Sequence, residues 1–319
     1  MSVTVFNAKG SHAAELADLP KLLKREADTI WVDLDSTDDS TGQLLHDVFD
    51  FHPLSIEDTL NRLQRAKVEE YPHYVFLILN PVGWQHHKLI FREVDIFVGP
   101  NYLVTVHHAE EPAVAEAQDR LERANNHLKV SPSHLLYLLL DVVVDGYFPV
   151  LDEIEGEIEA LGNLILSNPQ RKHLSRLFEL KRSLAKLWRV VWPQREIPNR
   201  LFHRDLDLID VDAIEPYLRD VSDHLMWIAD MVTTFRDTLT GVMDLYMSAV
   251  SNRLNTVVNR LTVITVAIGM LTVISGFYGM NYAQTWPPFD SPYGVPFVLS
   301  LMVLGVGGLL YFFKRQDWF

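Results

Sequence analysis

Cysteine is absent from all 319 residues, which excludes disulfides, thiolate zinc sites and redox thiols. Basic residues are the scarcer charge. Lys plus Arg is 28 and Asp plus Glu is 42, so the formal net charge is 28 − 42 = −14. That balance argues against a nucleic-acid binder, which needs a basic face for phosphates. Neither a Walker pattern nor a Gly-x-Gly-x-x-Gly loop is present, so there is no cradle for ATP or a dinucleotide. No His-Glu-x-x-His occurs. The adjacent pairs His86-His87 and His107-His108 fall at strand ends, where neighbours point to opposite faces, so neither pair chelates alone. No spacing supports a nucleophile–base pair, and the sequence reads as a non-enzyme. No repeat of solenoid period is found. The start, Met1-Ser-Val-Thr-Val-Phe, has neither the basic nor the apolar region of a signal peptide. Hydrophobic residues at 48% exclude wholesale disorder.

The most telling scarcity is local. From Leu261 to Phe319 the charged residues are Asp290, Lys314, Arg315 and Asp317, which sum to zero, so residues 1–260 carry the whole −14. Two charge-free stretches, Leu261–Phe289 and Ser291–Phe313, are each long enough for a spanning helix of about 20 apolar residues. The spans are read as 256–278 and 295–313, with a short tail at 314–319. The Pro- and aromatic-rich segment 279–294 forms the loop between them, its Tyr282, Trp286 and Tyr293 suited to a headgroup interface. Arg253 and Arg260 precede the first span, Lys314 and Arg315 follow the second, and the loop has no basic residue. The positive-inside rule then predicts a multi-pass protein of the cell (inner) membrane with both termini cytoplasmic. The apolar run Leu135–Val144 is too short to span and carries Asp141, so it is expected in a soluble core.

The body predicts an α/β domain over 1–130. Its strands are Val3–Phe6, Thr29–Leu34, Tyr74–Leu79, Lys88–Val98 and Tyr102–His107, with Gly99-Pro100-Asn101 as a hairpin turn. Helices are expected over Ser40–Phe49 and Glu111–Ala124. An antiparallel helix pair follows over 131–204, as Ser131–Ser167 and Gln170–Phe202, with Pro193 and Pro198 as kinks or an early end. A stalk helix covers 205–255. From Ala213 to Tyr278 the sole proline is Pro216, in a first turn. Apolar residues recur every seven at Val221, Ile228, Phe235, Val242 and Ala249, and again at Leu225, Val232, Leu239 and Tyr246. This is an a/d seam running into the first span, on a rod of roughly 100 Å. Such a seam needs the preceding helix pair or copies of itself to cover it.

Residues 205–244 hold ten acids: Asp205, Asp207, Asp210, Asp212, Glu215, Asp220, Asp223, Asp230, Asp237 and Asp244. Against them stand Arg219 and Arg236. Asp223, Asp230, Asp237 and Asp244 form one stripe. It suits a solvated face, and equally hard divalent cations with oxygen ligands. In the first span Thr262, Thr265, Gly269, Thr272 and Gly276 follow steps of 3, 4, 3 and 4, which is one helical face. Extended backward it meets Val258, Asn255 and, further on, Asp244. Close helix packing in lipid favours such residues. So does a neutral, polar pore wall, suited to an ion that keeps most of its water, as Mg²⁺ does. Two spans per chain enclose no water-filled path, so conduction requires a ring of subunits.

The first span ends in Tyr278-Gly279-Met280-Asn281, and in this setting the sequence resembles the CorA metal-ion transporter family, whose hallmark is Gly-Met-Asn. Ser251–Asn255, Ala229–Asp237, Ile56-Glu-Asp58 with Lys67–Tyr71, and Trp192-Pro-Gln-Arg-Glu196 also look like the family. The resemblance implies an α+β membrane protein: an N-terminal α/β cytoplasmic domain, and a long stalk helix continuing into a two-helix transmembrane hairpin. Its assembly would be a funnel-shaped homopentamer in membrane lipid. It implies a selectivity filter at Gly279, Met280 and Asn281, and pore positions at Asn255, Leu261, Thr272 and Gly276. Val258 would be a hydrophobic constriction, Asp244 an acid at the pore mouth, and Asp220 one partner of an inter-subunit regulatory Mg²⁺ site. Two departures stand out. The outer loop reads Trp286-Pro-Pro-Phe-Asp290 in place of Met-Pro-Glu-Leu, and Gly83-Trp84-Gln85-His86 lacks the second regulatory acid.

The expected function is a divalent-cation channel for Mg²⁺, with Co²⁺ and Ni²⁺ as further ions, driven by the membrane potential and closed by cytoplasmic Mg²⁺ on the acidic rods. Mg²⁺ is thus both cargo and regulator. The alternative within transport is a ZntB-like Zn²⁺ transporter coupled to protons. The alternative of another class is a membrane-anchored cation sensor that conducts nothing.

Overall fold

The computed structural model describes residues 1–8, 10–61, 64–123, 130–202, 208–280, 286–288, 292–316 and 318. Two compact units are present. The first comprises Met1–Leu161 and Lys172–Val242, the second Gly162–Arg171 and Met243–Phe319.

In the first unit a seven-stranded sheet has the order β2-β1-β3-β9-β8-β5-β4. These are β1 (Ser2–Asn7), β2 (Gly10–Ala14), β3 (Thr29–Asp35), β4 (Lys67–Tyr71), β5 (Tyr74–Leu79), β8 (Val94–Val98) and β9 (Tyr102–His107). Strands β3 and β9 run parallel, Ile30 opposite Tyr102 and Asp35 opposite His107; the other neighbours are antiparallel. Every residue of β5 and β8 is buried, as central strands covered on both faces require. One face packs Tyr74, Phe76, Ile78 and Phe97 against Phe49 and Phe51. Phe51 stacks on Phe97 at 4.1 Å between centroids. The helix α5 (Pro132–Asp145) packs on β3, β8 and β9.

Lys88–Val98, expected as one strand, is two. β7 (Lys88–Phe91) pairs with β6 (Val82–Gln85) in a separate hairpin, while β8 joins the main sheet. Arg92 and Glu93 interrupt the apolar run at the break. The hairpin turn is His86-His87, with φ of 50° and 60°. Two left-handed residues in a two-residue turn ordinarily call for Asn-Gly, so no turn signal was visible. Strand β4, Lys-Val-Glu-Glu-Tyr, was also unread, because a charged edge strand lacks the apolar alternation of an interior one.

The helices include α1 (Leu19–Leu22), α2 (Thr41–Asp47), α3 (Pro53–Leu60) and α4 (Pro112–Arg123). The expected helix Ser131–Ser167 is broken at Gly146 into α5 and α6 (Tyr147–Ser167). Pro149 explains the break: it has no N–H for the Asp145 carbonyl and its ring crowds that oxygen. Ser131 Oγ caps α5 by accepting from the His134 N–H at 3.3 Å, with Pro132 at the first position. α7 (Arg171–Phe202) passes through Pro193 and Pro198 without ending. α8 (Val211–Tyr278) is continuous for 68 residues. The part of its seam in the first unit is covered within the chain: Val221, Leu225, Ile228, Val232 and Leu239 are fully buried. Phe148 of α6 meets Trp227 at 5.1 Å, and Arg236 lies over Trp188 of α7 at 6.0 Å. The helix pair is thus the cover for the seam as far as Leu239.

In the second unit α8 continues beside α9 (Gly294–Arg315). Three segments have the length and apolarity of a span, but burial separates them. The apolar window within Pro132–Ser167 is 56% buried, against 6% in α8 and 0% in α9. Leu135–Val144 therefore belongs to a protein core, while the last two present apolar surface outward. Met270 of α8 sits against Gly305 of α9, where an added Cβ would lie 2.1 Å from the Met270 methyl. Gly307 and Gly308 face open space.

Two predictions follow from this packing. Asp95 on β8 is 3% exposed and its Oδ1 has no hydrogen-bond partner among the described residues. Burial pushes its carboxyl well up, and the Glu93 and Asp58 charges add to this against Lys67. Because the folded-state value is raised, its stabilising contribution is present at acid pH and is lost as pH rises from the unfolded value of about 4. Asp95→Asn is therefore expected to stabilise the protein by about 1 kcal/mol or more at pH 7 and to flatten the loss of thermal stability between pH 4 and 7, measured by calorimetry. At the hairpin, Gly305→Ala is expected to destabilise by roughly 1–3 kcal/mol through overpacking. Met270→Ala should relieve that cost in a double-mutant cycle, whereas Gly307→Ala should stay within about 0.5 kcal/mol of wild type, read from thermal melts in detergent.

Candidate ion-conducting site

The polar face of α8 in the second unit is built by helix geometry. Thr262 Oγ1 donates to the Val258 carbonyl at 2.9 Å, Thr265 Oγ1 to Leu261 at 2.8 Å, and Thr272 Oγ1 to Ile268 at 2.8 Å. Each hydroxyl proton is therefore committed to the preceding turn, a usual arrangement for Thr in a helix. What remains outward is oxygen lone pairs. Added Cβ atoms at Gly269 and Gly276 would meet nothing within 4 Å. Thr265, Gly269, Thr272 and Gly276 are exposed in the single chain and Thr262 is half-buried. The α9 side of the helix is a different one: Val263 is 5% exposed and Met270 contacts Gly305. These residues lie one position on from Thr262 and Gly269, about 100° around the helix. The hydroxyl face is left uncovered by the chain's own second apolar helix.

The backward extension of that face is also open. Asn255 and Asp244 are exposed, and Val258 and Leu261 are 57% and 62% exposed. Arg253 donates from Nη1 to Asn168 Oδ1 at 3.0 Å, tying the α6–α7 turn to α8 one turn before Thr256. At the far end, Gly279 closes the helix by donating its N–H to the Ser275 carbonyl at 2.8 Å. A Cβ there would stand 3.0 Å from that same oxygen, so glycine suits this closure. Met280 is half-exposed. Asn281, Tyr282 and Asp290 lie outside the described residues.

In the first unit Asp220, Asp223, Asp230 and Asp237 are exposed on α8; Asp205 and Asp207 lie outside the described residues. Asp220 Oδ1 is 3.9 Å from His224 Nε2. No acid was found in Gly83–His86 to accompany Asp220. The structure instead brings its charge within reach of Asp141 on α5. The Asp141 carboxyl is pushed up by burial, then by Asp145, with Arg120 opposing and Asp220 adding to the rise. Arg120 donates to Asp141 at 2.9 Å and to Asp145 at 3.0 Å. In the sequence Asp141 is legible only as a charge that argues against a span; its place near Asp220 depends on how α5 and α8 pack, which no spacing reveals. Among the described residues, no three His, Asp or Glu side chains converge to hold a metal ion.

The chain is similar to known proteins over most of its length. The cobalt/magnesium transport protein CorA of Thermotoga maritima is 35% identical over 280 residues, covering 86% of this chain and 79% of the relative. The complete structure of the CorA magnesium transporter from Methanocaldococcus jannaschii superposes with a TM-score of 0.82 at 20% identity, covering 100% of this chain and 99% of the other. The ZntB cytoplasmic domain from Vibrio parahaemolyticus has the same fold as the corresponding part, with a TM-score of 0.63 at 13% identity over 79% of this chain and 98% of that one. The family model described as CorA-like Mg²⁺ transporter protein matches residues 26–315, and with nearly the whole chain inside it this protein belongs to that family.

Proposed function

We propose that this metal-ion transporter is a channel for hydrated Mg²⁺, formed by several copies, five on the family's pattern, around a shared wet axis lined by the α8 hydroxyl face. The observation that carries this reading is the direction of the hydroxyls. A cation's inner-shell waters bind through oxygen and present hydrogens outward. A wall of acceptor lone pairs without charge meets those hydrogens and leaves the ion's shell intact, which suits an ion that dehydrates reluctantly. Thr262, Thr265, Thr272 and the gaps at Gly269 and Gly276 line the wall. Asn255 stands toward its cytoplasmic end, and Val258 and Leu261 form the apolar constriction. Gly279, Met280 and Asn281 form the outer filter, and Asp244 draws cations at the inner mouth. The spans are 256–278 and 295–313 in the cell membrane. Arg253, Arg260, Lys314 and Arg315 keep both ends cytoplasmic, so the α/β domain, the helix pair and the stalk lie in the cytoplasm.

Cytoplasmic Mg²⁺ regulates this channel. The donors Asp220 and Asp223 are hard oxygens on an exposed face, which fits that ion, and each requires ligands from another copy. When bound, Mg²⁺ supplies positive charge between neighbouring rods; without it the aspartates of adjacent rods repel one another. Inward movement is driven by the membrane potential, at about 2 × 2.3, or ~4.6, kcal/mol per 100 mV for a divalent ion. The second reading, Zn²⁺ moved with protons, draws on the outer loop Trp286-Pro-Pro-Phe-Asp290 and on the shared ZntB fold. The intact Gly-Met-Asn favours Mg²⁺.

In proteoliposomes clamped inside-negative, wild-type Mg²⁺ uptake is expected to exceed that of Asn281→Ala at least tenfold, the effect of about 1.4 kcal/mol at the filter. Equal fluxes would remove the channel reading. Zn²⁺ uptake that outpaces Mg²⁺ and follows an imposed pH gradient would select the zinc reading instead. A separate prediction concerns the wall: Thr265→Val or Thr272→Val removes an acceptor at constant shape, and one lost hydrogen bond of about 1 kcal/mol should lower Mg²⁺ flux roughly fivefold, with native mass spectra of the oligomer unchanged and Thr→Ser close to wild type.

A further inference from the structure

At the carboxyl ends of the parallel strands β3 and β9, a histidine sits between two groups that can only accept. His107 is 10% exposed at its side chain. Its Nε2 is 3.0 Å from Asp33 Oδ1 and its Nδ1 is 2.6 Å from the Ala109 carbonyl oxygen. A neutral imidazole donates at one nitrogen and accepts at the other. Both contacts are satisfied together only by the imidazolium.

The surroundings fix both acceptors. Asp33 Oδ1 also accepts from Thr105 Oγ1 at 2.5 Å, and that hydroxyl oxygen accepts from Trp31 Nε1 at 3.0 Å. Ala109 is held in the left-handed region at φ 56°, an unfavourable conformation for alanine. Two contacts hold it there: its carbonyl accepts a hydrogen bond from His107 Nδ1–H, and its N–H donates to Asp35 Oδ1 at 3.3 Å. Two residues on, Glu111 is buried, accepts the Ala113 N–H at 3.2 Å at the start of α4, and lies 3.8 Å from Arg92. The charged groups around the imidazole are thus Asp33 and Asp35 from β3, Glu111 from the corner itself, and Arg92 behind Glu111. Burial pushes the imidazole pKa down, but the Asp33 hydrogen bond and charge, the Ala109 carbonyl and the Glu111 charge outweigh it, and the net shift is upward.

We propose that Asp33, His107 and Ala109 form a proton-operated latch on the corner between β9 and α4, closed while the imidazole carries two protons and released when it loses one. Neutral His107 keeps one N–H: the Asp33 carboxylate, the stronger acceptor, holds it at Nε2, and the Nδ1 lone pair left facing the Ala109 carbonyl makes that contact repulsive. Ala109 then loses one of the two contacts holding it left-handed, and the corner that places Glu111 at the start of α4 opens. The sign follows from linkage. A histidine whose closed-state pKa lies above its open-state value stabilises the closed form at low pH, and that contribution is lost as pH rises through the higher value.

The test is hydrogen–deuterium exchange with mass spectrometry on the full-length protein in detergent, from pH 6 to 9, with rates corrected for intrinsic chemical exchange. For the peptide containing residues 108–113, the corrected rate in wild type is expected to rise by up to tenfold per pH unit above about 6.5 and to level off once the latch's own pKa is passed. Peptides from β5 and β8 should stay flat. His107→Gln, which donates from one end only, should show fast exchange at every pH. Asp33→Asn, which keeps His107 but removes its charge partner, should move the midpoint to lower pH. A flat wild-type profile overturns the proposal. So does a rise that survives in His107→Gln, or an unmoved midpoint in Asp33→Asn. If the variants fail to fold, the wild-type profile decides.

Discussion

Backbone polar groups inside a bilayer have no water to turn to, and that constraint governs the second unit. It demands helices with every carbonyl satisfied; helix geometry then lets a threonine hydroxyl donate to the carbonyl four residues back, as it also does at Thr233, Thr234, Thr238 and Thr240 of the first unit. Thr262, Thr265 and Thr272 all do so. The consequence is chemical as well as structural. A hydroxyl free to rotate would offer either a donor or an acceptor; one tied to its own helix offers acceptors alone. The polarity of the face is set by the helix that carries it. Gly269 and Gly276 keep that face shallow, and the α9 contact is confined to the neighbouring side through Met270 and Gly305.

The first unit meets a different constraint, that of placing many like charges on a rod without unfolding it. The a/d seam of α8 is buried against its own chain through Leu239, which fixes the rotation of the helix. Asp223, Asp230 and Asp237 then point to solvent, where water screens them. Asp141 is the exception, half-buried beside Asp145 and balanced by Arg120. That arrangement puts a neutralising guanidinium next to the acids nearest Asp220, so the local charge there is smaller than the sequence suggests.

How much of this was legible depended on whether the signal was periodic. The long helix and its seam follow from steps of three, four and seven, and the structure shows the helix over Val211–Tyr278 and the seam buried as far as Leu239. The central strands were legible because they are apolar throughout. The misses share a cause, which is chemistry carried by polar residues in unexpected roles. His86 and His87 make a turn normally assigned to Asn-Gly. His52 caps α3 by accepting from the Leu54 N–H at 3.2 Å, where Ser or Asp would have been recognised. Lys67–Tyr71 is an edge strand with too much charge to look like one. Pro149 breaks a helix that the apolar pattern alone carried straight through. The Asp141–Asp220 neighbourhood arises from packing between helices about 80 residues apart in sequence.

On the proposed reading, conduction and selection must reside in different places. Hexahydrated Mg²⁺, Co²⁺ and Ni²⁺ present similar outward hydrogens, so a wall of threonine acceptors and glycine gaps treats them alike. Such a wall lowers the cost of crossing the bilayer without binding any one ion tightly, which is what passage requires. An inward-facing carboxylate or imidazole would replace an inner-shell water and hold a softer ion in place. The span carries neither between Leu261 and Tyr278. On that reading discrimination falls to Gly279-Met280-Asn281 at the end of α8, where Gly279 has no side chain to stand between its backbone and a hydrated ion. The proposal thus assigns the path to the helix and the choice to its end.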